Sequence, residues 1–123
     1  MREGIAMKLG GTDASLLPTF QAYADIERRL GQPLRQIYTL AATGMLPVMD
    51  MATVVTIGAN EGMLAGDRPL DLNKTAEVLY SAGIFSDEVL VPVVDYLAAL
   101  GWTPEQRRKI AAAAEENAGE TTT

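Results

Sequence analysis

The chain has 123 residues, of which 48% are hydrophobic and 21% are charged, and its 10 basic and 16 acidic side chains give a formal net charge of −6. This length supports one domain with one core, and the composition is typical neither of a disordered chain nor of a membrane protein. Nucleic acid is not an expected partner, because binding to phosphates needs a surplus of Lys and Arg.

The first 17 residues predict a β-hairpin. Apolar side chains alternate with others along residues 5–9, Gly10 and Gly11 supply a turn, and residues 14–17 return as a second strand. A two-stranded hairpin alone is marginally stable in water, so it must pack on helices or pair one edge with another chain. The hairpin is therefore a candidate docking element.

Helical patterns begin after Thr19, which can cap the first helix, while Gly31 can adopt the left-handed conformation that ends it. Similar start and stop signals predict three further helices, with residues 64–70 as the main loop. The four predicted helices are Phe20–Leu30, Leu34–Ala42, Val48–Glu61 and Leu72–Ala82. Their expected inward-facing residues are Phe20, Tyr23, Ala24 and Leu30, then Leu34, Ile37, Tyr38 and Ala41, then Met51, Val54, Val55 and Gly58, then Leu72, Ala76, Leu79 and Tyr80.

A fifth helix is predicted to begin after Ser86 and to end at Gly101, and Pro92 is expected to kink it or to delay its start. Its apolar residues cover more than one face, so we expect it to be the central helix of the core, with a partner-facing surface as the alternative. Trp102 is expected to anchor the following turn in the core.

Thr103, Pro104 and Gln106 form the pattern of a capped start for a sixth helix, which is expected to end near Asn117. The predicted fold is mainly α: a short N-terminal β-hairpin followed by a compact bundle of five or six helices. Residues 1–117 form a single domain in this prediction, and residues 118–123 form a flexible tail.

The chain contains no histidine and no cysteine. The usual general base, the thiolate nucleophile and most zinc sites are thereby removed, and we expect no enzyme and no cofactor. A carboxylate-based hydrolase remains as an alternative. It requires a pocket lined by at least two of Asp67, Asp71, Asp87 and Glu88.

The sequence around Asp71 imitates the start of a calcium loop, with Asn73 and Thr75 at the next ligand positions. Ala76 replaces the glycine that such a loop requires, and Ala82 replaces its bidentate glutamate. No metal site is therefore expected, and Asp71 is interpreted as the cap of the fourth helix.

Met45, Met49 and Met51 gather around the start of the third helix. Flexible thioether side chains adapt to varied partner surfaces, which makes these residues candidates for partner binding. Core filling is the alternative and the more frequent role of apolar residues at helical spacing.

The residues Leu17-Pro18-Thr19-Phe20, Ile26-Glu27 and Leu30-Gly31 follow a hairpin that contains Leu9-Gly10-Gly11. This pattern resembles the N-terminal signature of a family of small gene-transfer-agent and phage tail proteins, described as tail tube-related proteins or as tail assembly chaperones. The family pattern is a strand, a glycine turn, a second strand ending in L-R-P-T-F-x-A-L-x-x-I-E, and a glycine-containing helix end. Leu17 stands where that pattern has arginine. The resemblance spans about residues 4–101, is strongest in the first third, and includes a looser likeness at residues 75–83. The residues that match as a structural signature are Pro18, Thr19, Phe20, Ile26, Glu27 and Gly31.

The resemblance implies a non-enzymatic role in virion morphogenesis, with the tape-measure protein and the tail tube subunits as partners. A tail assembly chaperone would keep the long, apolar tape-measure protein soluble until tube subunits polymerise around it. Such a protein is expected to be cytoplasmic or associated with the particle, and a homo-oligomer is a further candidate assembly. A structural tail tube-associated protein is the alternative, although a tube needs an extended sheet and this chain offers one hairpin.

Phe20 stands where the hairpin joins the helical body. Its ring is expected either to plug this junction from inside the core or to lie exposed for a partner.

Overall fold

The computed structural model describes residues 4–63 and 69–121, and it describes side chains as far as residue 116. Its elements in chain order are β1 (Ile5–Leu9), β2 (Thr12–Leu16), α1 (Phe20–Leu30), α2 (Leu34–Ala42), α3 (Val48–Glu61), α4 (Leu72–Ala82), α5 (Asp87–Gly101) and α6 (Pro104–Thr121). The predicted architecture, mainly α with an N-terminal hairpin, is confirmed. Most of the predicted loop 64–70, and residues 1–3, lie outside the described residues.

The hairpin pairs β1 with β2 in an antiparallel register that runs from Ile5 opposite Leu16 to Leu9 opposite Thr12. Gly10 and Gly11 have φ values of 60° and 84°, which a two-residue hairpin turn requires and glycine tolerates. The second strand begins earlier than predicted and ends before Leu17. One face of the hairpin packs on α3 and α5, so the helices supply the core that an isolated hairpin lacks.

Two of the predicted helix caps form as the sequence indicates. At the start of α4, the Asp71 carboxylate accepts a hydrogen bond from the Lys74 amide at 3.0 Å. At the start of α6, the Gln106 amide donates to the Thr103 hydroxyl at 3.2 Å, and the Thr103 amide donates to the Gln106 side chain at 3.0 Å. This reciprocal pair is a capping box, and it fixes where α6 begins.

The central helix of the core is α3. Every residue of its predicted stripe is buried, and α3 packs against α1, α4, α5 and β2. The predicted central helix, α5, also belongs to the core and contacts α2, β1, α3, α4 and α6. It is less enclosed than α3, because Val91 is 49% exposed and Asp95 faces solvent, whereas α3 has no charged residue between Met51 and Ala59. Pro92 lies inside α5 and does not delay its start, because the helix begins at Asp87.

Two predicted inward-facing sets need correction. In α1 the buried residues are Ala22 and Ile26, while Ala24 is exposed, because the face that meets α3 runs along the 22/26 row. In α4 the buried face is narrow, and Tyr80 lies at its edge with 76% of its surface exposed.

The turn after α5 is pinned by an aromatic pair. Trp102 is half-buried and meets Tyr38 of α2 edge to face, with the ring centroids 5.1 Å apart. The backbone amide of Trp102 donates to the Ala98 carbonyl at 2.8 Å. The aromatic contact between Trp102 and Tyr38 joins the end of α5 to α2 and fixes the direction in which the chain leaves the core.

The last helix, α6, continues to Thr121, so its predicted end near Asn117 is wrong. Among the helices of residues 4–63 and 69–121, none combines the length and the apolar character that crossing a bilayer demands.

Helices α3 and α5 approach closely at Gly58. A methyl group on Gly58 would lie 2.8 Å from Cζ and 2.9 Å from Cε2 of Tyr96, closer than carbon atoms normally approach. The Tyr96 ring is fully buried and has little space into which it can retreat. Glycine is therefore required at position 58 by packing, although it is an unfavourable residue inside a helix.

We therefore expect Gly58→Ala to lower the free energy of unfolding by about 1–3 kcal/mol, because overpacking outweighs the gain in helix propensity. The matched control is Gly101→Ala, since the nearest atom to its new methyl group is Leu34 Cδ2 at 3.9 Å. The control should leave stability unchanged or raise it by up to ~1 kcal/mol. Chemical denaturation measures the free energy of unfolding of both variants. Equal values for Gly58→Ala and Gly101→Ala would contradict the close approach of α3 and α5 at Gly58.

Candidate functional site

The signature segment is attached to the core through Leu17. Its backbone amide donates to the Gly58 carbonyl of α3 at 3.0 Å, and its carbonyl accepts from the Tyr96 hydroxyl of α5 at 2.9 Å. We call these three residues the Leu17 junction. Both backbone polar groups of Leu17 are thereby satisfied inside the protein, next to the buried Pro18.

Tyr96 is the polar member of this junction. Burial raises the pKa of its hydroxyl well above the usual tyrosine range, and the negative charge of Glu61 raises it further. The hydroxyl therefore stays protonated further into the alkaline range than an exposed tyrosine does, and it remains a hydrogen-bond donor to Leu17 there.

The remaining signature residues build the helix that follows. Thr19 accepts a hydrogen bond from the Ala22 amide at 3.0 Å and caps α1, and Ile26 is fully buried. Gly31, with φ of 65°, ends α1. The Glu27 carboxylate accepts from the Leu34 amide at 2.8 Å and so caps α2 from the preceding helix. Every one of these contacts is structural.

Phe20 is the exception within the signature. Its side chain is 80% exposed, so the expectation that it plugs the junction is wrong, and its ring is available to a partner. The buried side chains next to the Leu17 junction are those of Leu16 and Pro18, which precede α1.

The three candidate methionines divide between core and surface. Met51 is 1% exposed and belongs to the core, so its assignment to partner binding is wrong. Met45 is 69% exposed and Met49 is 42% exposed. The division follows helix geometry, because Met51 lies on the stripe of α3 that faces the core while Met49 lies beside it.

A depression lies between the start of α3, the helix that contains Met49, and the end of α4. Val48, which directly precedes Met49, lines this depression of about 440 Å³ together with Ala76, Glu77, Tyr80 and Ser81. We use the name apolar patch for Val48 and Tyr80, which line this depression, together with Met45 and Met49, which are exposed and lie close to Val48 in the chain. It combines two adaptable thioethers with an exposed aromatic ring, which are residue types enriched where proteins bind one another.

A second cavity, of about 560 Å³, lies between the hairpin, the end of α3 and the start of α4. Asp13, Asp71 and Lys74 supply its charged groups. The Asp71 carboxylate already caps α4, and Asp87 and Glu88 lie elsewhere, in the first turn of α5. The fourth carboxylate of the hydrolase alternative, Asp67, lies outside the described residues. Across the described part of the chain, no three acidic side chains cluster closely enough to bind a metal ion.

Sequence reasoning missed the role of Tyr96. The sequence pattern predicted that Gly58 is buried. A glycine in the middle of an apolar helix also indicates that another element approaches closely, and this second meaning was overlooked. A single tyrosine within the apolar run of α5 is the matching signal, since a buried phenol needs a hydrogen-bond acceptor. The acceptor itself, a backbone carbonyl 79 positions away, leaves no trace in the sequence.

In comparisons with known proteins, no protein-family model, no curated protein and no solved structure matches this chain.

The buried phenol leads to a pH-dependent prediction for Tyr96→Phe. Loss of the hydrogen bond to Leu17 should lower the free energy of unfolding by about 1–2 kcal/mol at neutral pH. Because the pKa of Tyr96 is higher in the folded than in the unfolded chain, the native protein should lose stability as the pH rises above ~10. The Tyr96→Phe variant has no phenol to ionise and lacks this loss. The difference in free energy of unfolding between the native protein and the variant should therefore become smaller above pH ~10.

Denaturation at neutral and alkaline pH measures this difference. Tyr80→Phe is the control, because Tyr80 is exposed and its removal should change neither the stability nor its pH dependence. A stability difference for Tyr96→Phe that stays constant through alkaline pH would show that the phenol ionises freely in the folded chain.

Proposed function

We propose that this protein is a non-enzymatic assembly factor of a phage tail or gene transfer agent, and that it acts as a tail assembly chaperone for the tape-measure protein. The observation that carries the proposal is the apolar patch, in which Met45, Met49 and Tyr80 expose apolar surface that the fold does not use. The resemblance of residues 17–31 to the tail family supports the biological setting.

The patch suits a long helical client. The groove between the start of α3 and the end of α4 is lined by Val48 and the ring of Tyr80, and the exposed Met49 follows Val48 in the chain. Such a groove suits the apolar face of an amphipathic helix. Methionine side chains can repack around different sequences, which a chaperone needs if it is to bind successive segments of one long chain. The net charge of −6 supports this role, because it favours a soluble complex with an apolar client.

The signature residues support a binding role rather than catalysis. Thr19, Ile26, Glu27 and Gly31 are used in caps, packing and a helix end. Their contribution to the proposed function is to fix the angle between the hairpin and the helical body. Phe20 extends the exposed apolar surface at the start of α1.

The test is co-expression with the tape-measure protein encoded in the same gene cluster, followed by affinity purification. The tape-measure protein should be recovered in the soluble fraction together with the native chain. The double variant Met45→Ser and Met49→Ser should lower its recovery or affinity roughly tenfold, since each tenfold corresponds to about 1.4 kcal/mol of binding. Binding should weaken because the variant replaces apolar contact surface with polar side chains. Folding should stay intact because both methionines are exposed.

The control variant is Val91→Ser, which removes an exposed apolar side chain of α5 outside the patch. It should bind as the native chain does. Failure to recover the tape-measure protein with the native chain would contradict the chaperone proposal, and equal recovery with both variants would contradict the patch. Detection of the protein in purified particles by mass spectrometry would favour the structural tail component instead.

A further inference from the structure

The last helix has little to pack against. From Thr103 to Glu116 the residues are exposed, apart from a partly buried Arg107 at the base of the helix. Its packing partner within the described structure is the end of α5. As far as Glu116, most of the surface of α6 is therefore open to solvent.

Charge is distributed unevenly along α6. Arg107, Arg108 and Lys109 lie near its start, and Glu115 and Glu116 lie beyond an uncharged stretch of alanines. Helical periodicity places Arg108, Ala111, Ala112 and Glu115 on one face. We call these four residues the α6 face; it carries a positive group at one end and a negative group at the other.

The two charged groups of this face have no ion-pair partner among the described side chains. Lys109 is paired with Glu105 at 3.8 Å, but Arg108 and Glu115 are not paired in this way. They cannot pair with each other, because seven residues of helix separate them by roughly 10 Å along the axis. The face thus offers one cation and one anion at a fixed spacing.

We propose that the α6 face binds the same face of a second copy of this chain in an antiparallel helix pair. A two-fold axis between Ala111 and Ala112 sets Arg108 of each copy opposite Glu115 of the other. The small side chains at the centre let the two helices approach. A parallel pair would instead set Arg108 beside Arg108, so the charges select the antiparallel arrangement.

A second copy is the occupant that this charge pattern selects. Both halves of the complementary surface lie on one helix, which is the property of an isologous interface. Exposed ion pairs contribute little energy individually, and copies of net charge −6 repel each other at long range. The dimer is therefore expected to be weak and to dissociate in high salt. This inference does not depend on the proposed function.

The experiment is sedimentation of the full chain over a range of concentrations at low salt. The native chain should form dimers, and Arg108→Glu or Glu115→Arg alone should shift it to monomer by setting like charges opposite each other. An equimolar mixture of the two single variants should recover dimers, because one copy then carries two anions and the other carries two cations on this face. Arg29→Glu on α1 has the same change in net charge as Arg108→Glu and should dimerise as the native chain does.

Cross-linking tests the geometry independently, since the chain has no cysteine. Ala112→Cys lies beside the two-fold axis and should form a disulfide-linked dimer under mild oxidation. Ala113→Cys lies on the opposite side of α6 and should not. A native chain that stays monomeric at every concentration, or single charge variants that dimerise as well as it does, would overturn the proposal. Equal cross-linking at both positions would do so too.

Discussion

Two hydrogen bonds at Leu17 connect the three parts of this molecule. The amide of Leu17 is bonded to α3 through Gly58, and its carbonyl is bonded to α5 through Tyr96. The residue before Leu17 ends the hairpin, and the residues after it begin α1. Hairpin, first helix and core therefore meet at one backbone position, whose polar groups are satisfied inside the protein rather than by water.

The geometry of this junction determines which surfaces remain free. Gly58 allows the Tyr96 ring to lie against α3, and the middle of α3 is consequently enclosed by its neighbours. Exposed surface is left at the periphery, in the apolar patch of Met45, Val48, Met49 and Tyr80 and along α6 as far as Glu116. A rigid centre with adaptable side chains at its margins is an arrangement suited to binding other chains.

Local signals in the sequence predicted much of this structure. Caps such as Thr19, Asp71 and Thr103 act on neighbouring amides, so the beginnings of helices could be read from residue order. Burial depends on which neighbours cover a helix, and periodicity alone assigned Phe20 and Tyr80 to the core wrongly. The α3–α5 contact and the apolar patch arise from residues far apart in the chain, and tertiary packing alone brings them together.

Hydrogen bonds to α3 and α5 hold the backbone of Leu17 against the core, although Leu17 itself lies in the connection between the hairpin and α1. Native-state amide hydrogen exchange measures this directly, since an amide bonded in the core exchanges only when that region of the protein unfolds. The Leu17 amide should exchange with a free energy of opening close to that of global unfolding, and Tyr96→Phe should lower both together. Exchange of Leu17 at a rate typical of an exposed turn, while amides in the middle of α3 remain protected, would contradict it.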